Sequence, residues 1–128
     1  MLSLCMIVKN EEKYLAGCLD SVKDVIGEIV IVDTGSTDNT VSIAEKYNAK
    51  IYHFPWIGDF SAARNIALNK ASGDWILYLD ADERLSSEST EEIKKIISGD
   101  VRGAYRCRVI SVSDSDNHHS VMSYSRLF

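Results

Sequence analysis

The chain has one proline in 128 residues, Pro55, and few cysteines. Cys5, Cys18 and Cys107 are odd in number and widely spaced, with no C-x-x-C pair. That excludes a disulfide framework and the common zinc geometries. Buried, reduced thiols are expected instead, Cys5 in an apolar strand and Cys18 on a helical face with Tyr14, Leu15, Leu19 and Val22. Positive charge is also scarce: 14 Lys and Arg stand against 19 Asp and Glu, a net charge of −5. Nucleic acid as a partner is therefore not expected, since it wants a basic face. No apolar run is long enough to span a bilayer. The short one at residues 4–8 runs into Lys9-Asn10-Glu11-Glu12, unlike a signal peptide. A cytoplasmic location, extending to the inner face of the membrane, is expected. No glycine-rich turn follows the first strand, which removes a dinucleotide dehydrogenase. A receiver-like regulatory domain also fails, because its acidic positions are Val8-Lys9-Asn10 and Phe54-Pro55 here.

What the chain does have is acid at the ends of apolar strands. Trp75 to Leu79 is an unbroken apolar run that ends on Asp80-Ala81-Asp82-Glu83. Such a run reads as a strand buried on both faces, as in a parallel sheet. Open α/β sheets bind ligands beyond the carboxyl ends of their strands. Two carboxylates placed there repel each other and lose water, a cost that a divalent cation removes. A second strand, Glu28 to Asp33, also ends on acid and runs into Thr34-Gly35-Ser36-Thr37-Asp38. Gly35 permits a tight turn, and the hydroxyls and Asp38 offer caps for the next helix.

The periodicity predicts strands over 2–8, 28–33, 51–54 and 75–80. Helices are predicted over 11–23, capped by Asn10, over 38–48, and over 60–71, capped by Asp59. This βα alternation predicts a mainly parallel sheet of order 3-2-1-4 flanked by helices, with its switch point beside Asp80 and Asp82. Past the fourth strand, Ser89 and Glu92 predict a capping box for a short helix closed by Gly99. Residues 103–113 and 119–128 read as an antiparallel hairpin turning at Asp114 to His119. The acids of that turn lack the Gly and distal Glu of a calcium loop, so a solvated turn is expected. His118 and His119 suit a hairpin tip, and His53 a structural place. One domain, 1–128, is expected, with the βα units that end on the acids over 1–85 and a helix plus hairpin over 86–128.

Four segments in order carry a resemblance: Cys5 to Glu12, Val32 to Asp38, Ala63-Arg64-Asn65, and Leu79 to Asp82. Together they resemble the inverting family 2 glycosyltransferases, whose donor domain is the Rossmann-like GT-A fold. Trp56, Asp59 to Asn65 and the closing Ser125-Arg126-Leu127-Phe128 are most similar to the bacterial branch that often carries tetratricopeptide repeats. The resemblance implies a nucleoside-diphosphate sugar as donor, a UDP-sugar foremost, and Mn²⁺ or Mg²⁺ as cofactor. It implies that Asp33 hydrogen-bonds the base and that Val8 and the Asn10-Glu11 turn floor the nucleoside pocket. Arg64 would reach the base or the diphosphate. Asp80 would contact the ribose or the metal's water shell, and Asp82 would ligate the metal.

Plainer roles stand beside these. Asp33 can cap a helix, Arg64 can be a solvated helix residue, and Lys9 and Glu12 read as surface charges. Trp56 is a loop anchor or a sugar platform. Neither Glu83 nor Glu88 makes a convincing general base, and in the family that carboxylate lies on the acceptor half. It is expected beyond Phe128, so the chain reads as a truncated donor half that transfers no sugar alone. The acceptor, whether glycan, lipid or protein, is left open. An uncovered apolar hairpin around Val109, Val112, Val121 and Leu127 would favour homo-oligomers. The alternative from another class is a non-catalytic nucleotide-sugar-binding module.

Overall fold

Strict alternation of buried side chains along the strands decides the layering. In β1 (Leu2–Val8), Leu4, Met6 and Val8 join one core cluster and Cys5 joins another. In β2 (Glu28–Asp33), Ile29 and Ile31 take the first face, Val30 and Val32 the second. A strand sends successive side chains to opposite faces, so apolar residues at every position demand cover on both sides. Helix α1 (Leu15–Val22) supplies Leu15, Cys18, Leu19 and Val22 to the first face, with Ala44 from α2 (Thr40–Lys46). The second face is covered by α3 (Phe60–Lys70), whose small Ala63 and Ala67 let the helix lie close to the sheet. The Cys5 thiol donates to the Ala67 carbonyl at 3.6 Å. Cys5 and Cys18 are both buried, free thiols, each pushed up to about 12, by burial first and then by nearby acids.

The computed structural model describes residues 1–99, 103–112 and 119–128. It holds one six-stranded sheet of order β3-β2-β1-β4-β6-β5. The strands β3 (Lys50–His53), β2, β1 and β4 (Trp75–Tyr78) run parallel, in the expected order 3-2-1-4. After α4 (Ser87–Ser98), β5 (Tyr105–Val112) and β6 (His119–Leu127) pair antiparallel as the expected hairpin. The hairpin inserts into the same sheet: Leu127 pairs with Leu77, and Phe128 and Ile76 exchange backbone hydrogen bonds of 2.9 and 2.6 Å. Leu127, expected to lie on an uncovered surface, is 1% exposed because β4 and the first core cluster cover it. The turn at 114–118 lies outside the described residues, as do the side chains of Val109, Val112, Val121 and Cys107. No helix among the described residues is long and apolar enough to cross a membrane.

Several element ends differ from expectation. Helix α1 starts at Leu15, not 11, because Asn10 adopts a left-handed φ of 53° and turns its side chain to another loop. Helix α2 starts at Thr40, where Asp38 accepts from the Thr40 N–H at 2.9 Å. The Ser89–Glu92 box is replaced by Ser86, which accepts from Ser89 N–H at 3.1 Å, while Glu92 faces Lys95 at 3.7 Å. Strand β4 stops at Tyr78 and not at residue 80, so Asp80 lies just past the strand and Asp82 on the turn that follows. Asp59 does cap α3, accepting from Ala62 N–H at 3.1 Å.

The amino-end edge of the sheet contains one buried acid, Glu28, 7% exposed. It accepts from Lys50 Nζ at 2.8 Å, from Ser72 N–H and Oγ at 2.8 and 2.9 Å, and from the Ser3 hydroxyl. Burial pushes its carboxyl up, but Lys50, Ser3 and Ser72 together bring it down to about 2. A depressed carboxylate stabilises the fold fully above the ordinary glutamate range and loses that stabilisation as pH falls toward its folded pKa. Glu28→Gln is expected to cost about 1–3 kcal/mol near neutral pH. In urea unfolding the gap to wild type should narrow between roughly pH 4.5 and 2. A gap unchanged across that range would contradict the ion-pair account. Leu77→Ala, by contrast, should cost about 2–5 kcal/mol at any pH through a core cavity.

Candidate functional site

The carboxyl ends of β2, β1 and β4 lie on one edge of the sheet, at the point where strand order reverses. The two loops leaving β1 and β2 are laced together there by side-chain-to-backbone bonds. Asn10 N–H donates to Ser36 Oγ at 2.9 Å, and Thr37 N–H donates to Asn10 Oδ1 at 2.8 Å. Glu11 N–H donates to Thr40 Oγ1 at 2.8 Å, Glu12 N–H to Asp38 at 3.3 Å, and Asn39 N–H to Glu12 at 3.0 Å. The left-handed backbone at Asn10 aims these groups, and asparagine tolerates that region better than most residues. Glu12 is exposed, as expected of a surface charge, and also braces the start of α2. Thr34 closes the seam, sending N–H and Oγ1 to the Val8 carbonyl at 3.0 and 3.2 Å.

Over this seam lies an open cleft of about 260 Å³ lined by Ile7, Val8, Lys9, Glu11, Thr34, Trp56 and Phe60. Val8 and Glu11 are among its lining, and Asn10 is not. Trp56 and Phe60 form the aromatic wall, edge to face at 6.4 Å and 47% and 43% exposed. Arg64 stands one helical turn on from Phe60, its guanidinium 5.1 Å from the Phe60 ring and 4.7 Å from the Tyr78 ring. Asp33 is at the strand end but 4% exposed. Its carboxylate accepts from Ser36 N–H at 3.2 Å and from the Ser36 hydroxyl, with His53 Nδ1 3.5 Å away. It holds the turn at Gly35, whose φ of 122° favours glycine.

The acidic turn completes the edge. Asp82 is exposed, Ala81 is buried, and the Asp80 side chain is half-exposed. Glu11 connects this turn to the cleft: its carboxyl is pushed above the usual range by burial, then by the charges of Asp82, Asp80 and Asp38. Among the described residues no three acids, histidines or cysteines converge to enclose a metal by themselves. Two groups escaped sequence reasoning. Glu83 accepts from Asp80 N–H at 2.7 Å, and Arg126 comes from β6 to within 3.2 Å of Glu83 and 3.8 Å of Asp80. Burial raises the Glu83 carboxyl, while the Asp80 N–H and Arg126 pull it back. The sequence signal for Arg126 was its place in the closing Ser125-Arg126-Leu127-Phe128 segment, which does not say what it meets.

The chain is similar to known proteins in sequence and in fold. The profile of Glycosyl transferase family 2 matches residues 3–126. A TPR repeat-containing protein of Synechococcus elongatus is 53% identical over 92 residues, covering 72% of this chain and 23% of that protein. The crystal structure of S. aureus TarS 1-349 in complex with UDP superposes with a TM-score of 0.66 and 32% identity, over 76% of this chain and 32% of that one. Glucosyl-3-phosphoglycerate synthase from Mycobacterium tuberculosis, in complex with Mn²⁺ and UDP-glucose, gives 0.52 and 25% identity, over 64% and 33%. The chain thus spans between about a quarter and a third of each of these relatives.

The laced loops are testable alone. Asn10→Ala loses the bond to Thr37 and strains the left-handed backbone, an expected cost of about 1–3 kcal/mol. Asn10→Gly should recover part of it by removing the strain. Chemical denaturation measures both, and a glycine variant no more stable than the alanine one would show that the backbone conformation carries no weight.

Proposed function

The chain belongs to glycosyl transferase family 2, and from that premise we propose that its cleft binds a nucleoside-diphosphate sugar, with UDP as the nucleotide. The observation that carries this reading is that the aromatic-walled cleft and the exposed Asp82 share the carboxyl edge of the sheet, with Glu11 lining the cleft and feeling the Asp82 charge. The first suits a base and ribose, the second a cation shared with phosphates. UDP occupies the related TarS structure, and Mn²⁺ with UDP-glucose the related synthase. The base packs between Val8 and the Trp56–Phe60 wall, with Glu11 as an acceptor for its polar edge. Asp33 hydrogen-bonds the base from beneath or, in its present pairing with Ser36, fixes the turn that does so. Arg64, already stacked on two rings, directs its charge to the diphosphate.

The donor set fits Mn²⁺ or Mg²⁺. These hard cations take one or two carboxylates from a protein and complete their shell with water and substrate phosphate oxygens. Asp82, exposed and without an ion-pair partner among the described residues, is the direct ligand, and Asp80 supports it. Bound there, the cation supplies positive charge against the diphosphate leaving group. In the whole protein the sugar passes to an acceptor with inversion. The relatives' greater length leaves room for an acceptor half and the general base that inversion requires.

Calorimetry with UDP in Mn²⁺ and in EDTA tests the site. Mn²⁺ is expected to tighten binding by about tenfold or more, equivalent to about 1.4 kcal/mol. Asp82→Asn should remove that gain and leave the melting temperature unchanged or slightly raised, as carboxylate repulsion falls. Equal affinity in Mn²⁺ and EDTA would sink the metal role, and an unfolded Asp82→Asn protein would make the residue structural.

A further inference from the structure

Arg126 is placed by the hairpin, far along the chain from the acids it meets. Pairing of Leu127 with Leu77 in antiparallel register sets Arg126 beside Tyr78, at the end of β4 where the acidic turn begins. Its side chain is 10% exposed, and its guanidinium lies 5.5 Å from the Tyr78 ring. Nη2 stands 3.2 Å from Glu83 Oε2 and 3.8 Å from Asp80 Oδ2. Glu83, 14% exposed, is occupied on both oxygens, since Oε1 accepts the Asp80 N–H at 2.7 Å. The Glu83 N–H returns to the Asp80 carbonyl at 2.9 Å, so residues 80–83 form a closed ring. Beneath it the Cys18 thiol donates to the same carbonyl at 3.6 Å. Asp82 is the exposed member of that ring.

We propose that Arg126 and Glu83 are positioning residues for metal-dependent donor binding, holding the Asp80–Glu83 turn in one shape and so aiming Asp82. The inference rests on the reading of this edge as a metal–diphosphate site. A guanidinium already facing Asp80 also divides the work of the two aspartates: Asp80 is partly neutralised by the protein, and Asp82 keeps its charge for the cation. Arginine suits the place because its planar guanidinium lies against the Tyr78 ring while Nη2 faces both carboxylates, a geometry that the compact, strongly hydrated ammonium of lysine does not reproduce. Groups that orient a metal ligand without touching the metal commonly alter affinity as much as 10–100-fold, roughly, when changed.

The test is the coupling factor, the ratio of UDP affinity in Mn²⁺ to that in EDTA, read by calorimetry on wild type, Glu83→Gln and Arg126→Lys, with Glu88→Gln as an exposed control. Glu83→Gln keeps an acceptor for the Asp80 N–H and removes the charge facing Arg126. Arg126→Lys keeps the charge and removes the planar guanidinium held against Tyr78. Both are expected to lower the coupling factor about tenfold while the affinity in EDTA stays within about twofold of wild type. Glu88→Gln should change neither. Wild-type coupling in both variants, or an equal loss in Mn²⁺ and EDTA, would overturn the positioning role. No coupling in wild type would overturn the reading of the site itself, and the inference with it.

Discussion

Like charges crowded at one sheet edge are the constraint on which the rest of this structure depends. Glu11, Asp38, Asp80, Asp82 and Glu83 arrive there from separate loops, and the field of three of them is felt at Glu11. Among the described residues the fold gives several of these acids a donor, though neither Glu11 nor Asp82. Asp38 takes the Thr40 and Glu12 amides, Glu83 takes the Asp80 amide and Arg126, and Asp33 takes Ser36. Asp82 is left outside this accounting. Asp82 is the most exposed of these acids, which is why we propose it as the one that keeps its charge for a cation.

The opposite edge shows what full compensation looks like. Glu28 is as acidic by nature as Glu83, yet serine hydroxyls, an amide and Lys50 satisfy it completely. Its role is to fasten the α3–β4 connection to the first two strands. The parallel order β3-β2-β1-β4 separates these two tasks: amino ends of strands are fastened, carboxyl ends are left to bind. The hairpin then reaches back to the binding end, which is how a residue as late as Arg126 comes to stabilise a turn at residue 80.

Much of this was legible in the sequence. The apolar runs at 28–33 and 75–79 announced strands buried on both faces, and their alternation with helical periods gave the sheet order. The acid after Leu79 lies at the carboxyl edge of the sheet, as the apolar run before it implies. The family resemblance and the repeat-bearing branch agree with the family profile and with the Synechococcus relative. What escaped was long-range. Asn10 looked like a helix cap because caps are read locally, while its true partner, Thr37, lies in another loop. Ser86 was passed over for Ser89 because a capping box is a local pattern too. Arg126 and Glu83 find each other only through hairpin insertion, which no spacing in the sequence encodes.

The central claim is that the cleft and the acidic turn act as one donor site. It is tested most directly by a crystal structure of the domain with UDP and Mn²⁺, with the metal located by its anomalous scattering. The account predicts one Mn²⁺ bridging the Asp82 carboxylate and the diphosphate, with uracil against Val8 and the Trp56–Phe60 wall. Mn²⁺ bound away from Asp82, or a base lying outside that cleft, would contradict it.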